Sequence, residues 1–269
     1  MTKIIFPFLL YLLCGFCAYG HAQNIAFSVS KDTKVIFSKG NVQYHPKKNL
    51  WRFSPNQYDM IGEKNAKVSS SYNGWMDLFG WGTGAQPCLA TNNYKDYREF
   101  VDWGVKFSNE GMNWRTLTCE EWKYLFLKRE NANKLLGIGI VAGVVGVFIL
   151  PDDANLSNKE FDFISLADQD VDSKWESYCF SNEPILNMYT EKQWDLLQSK
   201  GVVFLPYAGR RNTKILEQIC EVGYYWTSEE DYTTPFGCYA ISLSTTILEL
   251  NQPIYRQFAC AVRLVSDIK

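Results

Sequence analysis

The sequence predicts an α+β domain built mainly of short antiparallel strands, with two or three helices and long irregular loops. Three observations lead there. Aromatic residues make up 16% of the chain, and many recur in glycine-interleaved motifs, from Val35-Ile-Phe-Ser-Lys-Gly-Asn-Val-Gln-Tyr44 to Gly223-Tyr-Tyr-Trp-Thr-Ser228. Trp and Tyr carry a large apolar body with a polar edge, and glycine lets backbone pass close to such rings. Short stretches alternate apolar and polar residues between Gly and Pro breaks, the period of a half-buried strand. Two capping-box signatures each stand before an apolar stripe at helical spacing.

The elements follow in order. Residues 1–22 read as a signal peptide: Lys3 gives the positive start, 4–19 are mostly apolar, and Gly20 and Ala22 suit cleavage before Gln23. The apolar stretch is short for a membrane span of ~20 residues. Residues 23–269 then form one expected domain, opening with a β-hairpin region over about 23–60. Within it Phe27-Ser-Val-Ser30, Val35-Ile-Phe-Ser38, Asn41-Val-Gln-Tyr44 and Trp51-Arg-Phe53 read as strands, turning at Lys39-Gly40 and Pro46-Lys-Lys-Asn49. Residues 54–93 are rich in turn formers and are expected to be irregular, pinned by Tyr58, Trp75, Phe79 and Trp81.

A first helix is expected over 94–104, from the spacing of Tyr94, Tyr97, Val101 and Trp103. A second starts at Thr118 with Glu121 as its box partner, burying Trp122, Leu125 and Phe126. A third is capped by Thr190 with Gln193, buries Trp194 and Leu197, and stops at Gly201 before the strand Val202-Val-Phe-Leu205. Residues 135–150 are uncharged but rich in Val, Ile and Gly, and read as a β-hairpin turning near 142–146 rather than as a membrane helix. Residues 152–187 read as a polar surface excursion. The closing strands are expected at 238–243, 247–250 and 259–265.

Beyond the leader the chain keeps Cys88, Cys119, Cys179, Cys220, Cys238 and Cys260. An even number in an exported chain permits disulfides, with pairing open; no CxxC is present, which argues against a zinc ribbon or thioredoxin-like site. The formal charge is −2 with no long basic block, so nucleic acid is not an expected partner. No transmembrane segment is expected after the leader.

Candidate chemistry is sparse. His45 is the single histidine after the leader and reads as a solvated turn residue, which argues against Ser-His-Asp or Cys-His catalysis. Asp152-Asp153 reads as a pair of solvated loop charges. Glu229-Glu230-Asp231 follows a strand and carries the oxygen donors calcium takes, though without EF-hand spacing. Trp75, Trp81, Tyr224, Tyr225 and Trp226 are the candidates for a sugar-stacking platform, against a bland role in the core. Arg115 and Arg263, each among apolar neighbours, read as structural. Asn155-Leu-Ser157 is formally a glycosylation acceptor.

With these motifs quoted, a resemblance can be stated. Phe37-Ser-Lys-Gly-Asn-Val-Gln-Tyr44, Gly74-Trp-Met-Asp-Leu-Phe-Gly-Trp-Gly-Thr-Gly84, Trp114-Arg-Thr-Leu-Thr118, Phe204-Leu-Pro-Tyr-Ala-Gly-Arg210 and Tyr224-Tyr-Trp-Thr-Ser228 resemble secreted proteins of Bacteroides-type bacteria. Leu117 to Trp122, Tyr225-Trp-Thr-Ser228 and Ala261-Val-Arg-Leu-Val265 also resemble the C-type-lectin-like superfamily, which includes the formylglycine-generating (sulfatase-modifying-factor) enzymes and the Fibrobacter major paralogous domain. The resemblance implies a twisted antiparallel sheet flanked by helices, with long loops on one side. It does not transfer a function. Cys238 and Cys260 lie where the formylglycine enzymes keep a cysteine pair but do not match that motif residue by residue. The calcium-lectin signature is missing, since Glu183-Pro184 is followed by Ile185-Leu186.

The expected function is that of a secreted or surface-exposed, non-catalytic binding module for a glycan or protein ligand. Its loops would present Trp75, Trp81, Trp226, Glu229, Glu230 and Asp231, with no required cofactor and calcium as the one candidate ion. A cysteine-dependent oxidase using Cys238 and Cys260, another glycan-active enzyme, and a structural adhesin are the alternatives. Oligomeric state, and periplasm against outer surface, stay open.

Overall fold

The computed structural model describes residues 25–107, 112–154, 162–174, 176–234 and 236–268; the leader and Asn155-Leu-Ser157 lie outside them. The fold is mixed and sheet-rich. Its strands form four small sheets and a separate hairpin rather than one continuous sheet.

One sheet joins the two ends of the chain. It runs Phe27–Ser28, Lys34–Phe37, Leu264–Asp267, Trp114–Thr116, all antiparallel. Ile36, Ser266 and Trp114 pair across three neighbouring strands and therefore share one face. The Val42–His45 and Leu50–Phe53 strands form the separate hairpin. Its turn is a 3-10 segment, Pro46–Lys48, closed by Asn49 at φ 48°. Asn tolerates this left-handed geometry better than most residues.

The apolar stretch 135–150 is a hairpin, as its β-branched content predicts. Leu136–Val141 and Val144–Ile149 pair through a turn at Ala142 and Gly143, both at positive φ. Val203–Pro206 adds to one side and Asn187–Tyr189 lies parallel on the other. Among the described residues no helix is long and apolar enough to cross a membrane.

Both predicted capping boxes form. Helix α1, Cys119–Lys123, begins at Thr118, whose side chain accepts from Glu121 N while Glu121 accepts from Thr118 N. It runs on into a wider turn, Tyr124–Lys128, and buries Trp122, Leu125 and Phe126. Helix α2, Glu191–Ser199, has the same box at Thr190 and Gln193 and buries Trp194 and Leu197. The helix expected over 94–104 does not form. Two 3-10 turns, Tyr94–Tyr97 and Trp103–Lys106, replace it. Val101 between them donates to Gly82 O and accepts from Gly84 N, so its backbone groups are unavailable to a helix.

The polar excursion also has more order than expected. Val171–Lys174 and Ser177–Phe180 extend a sheet of Gly223–Glu230, Gly237–Leu243 and Ile247–Tyr255. The last expected strand is split. Phe258–Cys260 pairs with Arg210–Asn212 and Phe79–Gly80, and the chain then crosses to the terminal sheet at Leu264.

Arg263 sits at that crossing, 1% exposed. Its guanidinium donates to Asn41 Oδ1 (3.0 Å), Ser38 O (3.0 Å), Gln57 Oε1 (3.2 Å) and Phe204 O (2.6 Å). One side chain thus ties the opening hairpin region to the strand after α2. Burial lowers its pKa to about 10, with the Tyr225 hydroxyl acting the other way. The structural role expected of Arg263 is the observed one. Arg115 is ion-paired instead, to Glu121 (2.6 Å) and Asp267 (2.7 Å).

Candidate functional site

The residues singled out in the sequence do not converge. Trp81 and Trp226 are each 1% exposed. Trp81 Nε1 donates to Thr227 O (3.0 Å) and Trp226 Nε1 to Phe79 O (2.6 Å), so the two indoles pin the irregular 54–93 stretch to the Gly223–Glu230 strand. A stacking platform needs an exposed ring face, and these rings lie in the interior; so do those of Tyr224 and Tyr225. Trp75 is half-buried, with the Arg52 guanidinium 3.7 Å from its ring centroid and His45 edge-on at 5.3 Å. His45 is itself buried, contrary to the solvated turn expected. It closes a strand, and its Nδ1 accepts from Lys48 N at 3.3 Å.

The three adjacent carboxylates serve three different partners. Glu229 Oε2 accepts from Cys119 N (2.9 Å), at the start of α1. Glu230 pairs with Arg256 (2.9 Å). Asp231 accepts from Thr233 N and from the hydroxyls of Thr233, Thr234 and Tyr239. Burial pushes the Asp231 carboxyl upward, but these hydrogen bonds outweigh it and hold the pKa below its ordinary value. Among the described residues no group of three or more His, Cys, Asp or Glu side chains is placed to hold a metal. Asp152 is not a free loop charge: it accepts from Ser28 and pairs with Arg129 (3.2 Å) and Lys34 (3.3 Å).

The six cysteines are free thiols. Cys238 and Cys260 are buried within one hydrophobic cluster. Burial raises both pKa values, so neither presents a thiolate at neutral pH.

What the fold does assemble is an open cleft of about 720 Å³ on the outer face of the terminal sheet. Trp51 and Phe53 reach it from the hairpin, and Ile36 and Trp114 from the sheet. Phe107 closes the floor after the Trp103–Lys106 turn. The rings fall into two groups, Phe53 with Phe107 and Trp114, and Trp51 against the core ring of Phe79. Phe53 stacks on Phe107 at 4.1 Å, Trp114 meets Phe53 edge-on at 5.2 Å, and Trp51 stacks on Phe79 at 5.7 Å. Trp51 and Trp114 are half-buried at the walls, and the buried Trp114 indole N–H has no acceptor among the described residues.

The floor is held from below. Asp102 accepts from Gly104 N (2.8 Å) and Thr116 N (2.9 Å), locking the turn to the strand that carries Trp114. The contact is so close that a Cβ on Gly104 would lie 1.8 Å from Trp114 O. A second hollow of about 350 Å³ adjoins the cleft and shares Ile36, Phe37 and Lys39 with it. Its far wall carries Gln57, Gln198 and Val202. Gln57 is held by Gln198, Val202 O, Phe204 N and Arg263, so the Arg263 fork also positions this wall. Together the hollows make a furrow crossing the Lys34–Phe37 strand.

The charge around the cleft is one-sided. Lys39 and Lys106 are exposed and make no ion pair among the described residues. Arg52 also lines the cleft, but its Nε donates to Gln43 Oε1 (2.9 Å) and its plane lies on Trp75. Burial lowers its pKa, with Asp59 acting the other way.

Sequence reasoning quoted Trp51, Phe53 and Trp114 only as structural motifs. The available signal was the i, i+2 spacing of Trp51 and Phe53, which puts both on one strand face. Nothing in the sequence places Phe107 beside them. Compared with family models, curated proteins and solved structures, the chain has no match.

Proposed function

We propose that the chain is an exported, non-catalytic binding module of C-type-lectin-like build that holds a glycan segment in the furrow of Trp51 and Trp114. The observation that carries this reading is an open, ready-formed cleft lined by Phe53 and Phe107, with the half-buried indoles of Trp51 and Trp114 at its walls. Indole faces stack on the C–H faces of pyranose rings, and an open furrow admits a chain from both ends. Lys39 and Lys106 are exposed donors among the lining residues.

The test is calorimetric titration of the full chain with soluble glycans, repeated with Trp51→Ala and Trp114→Ala. Each substitution is expected to weaken binding on the order of tenfold, the equivalent of ~1.4 kcal/mol for a stacked ring. Glycan binding that is indifferent to both changes would move the site elsewhere. Titration without heat or thermal shift for any glycan would turn the reading toward a protein ligand.

A further inference from the structure

We infer that the ligand of this furrow is an acidic polysaccharide, recognised through its carboxylate or sulfate groups as well as its ring faces; this rests on the binding reading above. Among the described residues, those lining the two hollows include Lys39, Arg52 and Lys106 and no Asp or Glu. The chain as a whole is close to balance, with 27 basic and 29 acidic residues. Arg115, Lys123, Arg129, Arg210 and Arg256 each sit within 4.0 Å of a carboxylate, whereas among the described residues the cations of the cleft do not. Residues 25–67, which supply part of each hollow, carry eight Lys or Arg against three Asp or Glu.

Placement adds to composition. Lys39 lines both hollows, and Lys106, beside Phe107, lines the larger one. Both side chains are exposed and make no ion pair among the described residues, so an anionic ligand would meet them without first breaking one of those pairs. A neutral glycan would leave this charge unused, and a protein's apolar anchor would have to desolvate it.

A single-stranded nucleic acid also uses aromatic platforms and cations. It needs a cation for nearly every phosphate along its track. Two free lysines across the whole furrow suit a sparser array of charges, such as that of uronic or sulfated sugars.

The experiment compares matched pairs of probes on the full chain by calorimetry. Oligogalacturonate is set against its methyl ester, and a heparin oligosaccharide against its desulfated, carboxyl-reduced form. The variants are Lys39→Gln with Lys106→Gln, and Trp51→Ala. The lysines are exposed, so the double variant is expected to melt at the wild-type temperature. The expected result is binding of at least one acidic probe at least about tenfold tighter than its neutral partner, weakened on the order of tenfold by the double lysine change. Raising salt from about 0.05 M to about 0.5 M is expected to narrow that preference, because exposed charges are screened. Equal affinity for acidic and neutral partners, still lost in Trp51→Ala, would overturn the acidic ligand while leaving a glycan-binding furrow. Acidic binding untouched by the lysine changes would overturn it too. Tighter binding of oligothymidylate than of either acidic glycan would replace it with a nucleic-acid ligand. Binding of none of the probes would remove the furrow reading itself.

Discussion

Replacing Arg263 tests the central joint of the fold. Arg263→Met keeps much of the side-chain volume but removes the fork. Four acceptors, Asn41 Oδ1, Ser38 O, Gln57 Oε1 and Phe204 O, would then lose a donor in a site where Arg263 itself is 1% exposed. Gln57 Oε1 keeps its bond from Phe204 N, and a buried acceptor left without a partner costs ~2 kcal/mol, so the other three together cost about 6 kcal/mol. Against this, the buried cation carries its own penalty. Its pKa falls from 12.5 to about 10, which at ~1.4 kcal/mol per unit corresponds to about 3 kcal/mol that methionine avoids. The expected net loss is about 3 kcal/mol, a substantial part of the stability of an ordinary domain. Urea unfolding followed by tryptophan fluorescence measures it. Arg263→Lys, which keeps charge but reaches fewer acceptors, should fall between the wild type and Arg263→Met. A methionine variant within about 1 kcal/mol of wild type would refute the reasoning, because the fork would then not be what joins residues 38–57 to Phe204.

Further outcomes follow from other sites. Burial raises the Asp77 carboxyl from 3.8 to about 6, against hydrogen bonds from Ile61 N and Asn65 that lower it. The folded state therefore holds this proton more tightly than the unfolded one. Its contribution is full below about pH 4 and is lost as pH rises through about 6, a change of about 3 kcal/mol. The stability difference between wild type and Asp77→Asn, measured at steps from pH 4 to 7, should follow that slope; a flat difference would show that Asp77 ionises normally. Gly104→Ala should destabilise by ~1–3 kcal/mol and weaken any cleft ligand, since its Cβ would lie 1.8 Å from Trp114 O; differential scanning calorimetry reads the first effect and titration the second. In thiol labelling of the native protein, exposed Cys220 should react promptly. Cys119, whose thiol burial pushes up to about 12, should react only on unfolding, as should Cys238 and Cys260. Rapid native labelling of Cys238 or Cys260 would revive the cysteine-dependent enzyme. Thr118→Ala should cost ~1 kcal/mol by opening the capping box of α1, measured by urea unfolding.

The sequence by itself determined the local elements. The opening strands, the Leu136–Val141 and Val144–Ile149 hairpin and both capped helices follow from short-range patterns: alternation, β-branching, and a Thr three residues before Glu or Gln. These depend on neighbours within a few residues, so they are legible without the fold. The tertiary structure decided which aromatic rings are walls and which are core. Trp81 and Trp226 carry the same glycine-rich signature as a display loop, yet each indole N–H bonds a backbone carbonyl about 147 residues away. It also undid the helix over 94–104, because Val101 gives its backbone to Gly82 and Gly84, a partner no local period reveals. The cleft depends on the same long-range pairing. Trp114 comes beside Ile36 only because the C-terminal Leu264–Asp267 strand runs between their two strands. Phe107 reaches Phe53 only because Asp102 ties its turn to Thr116. Side-chain type is written in the chain, but which face meets solvent is set by contacts between residues far apart in it.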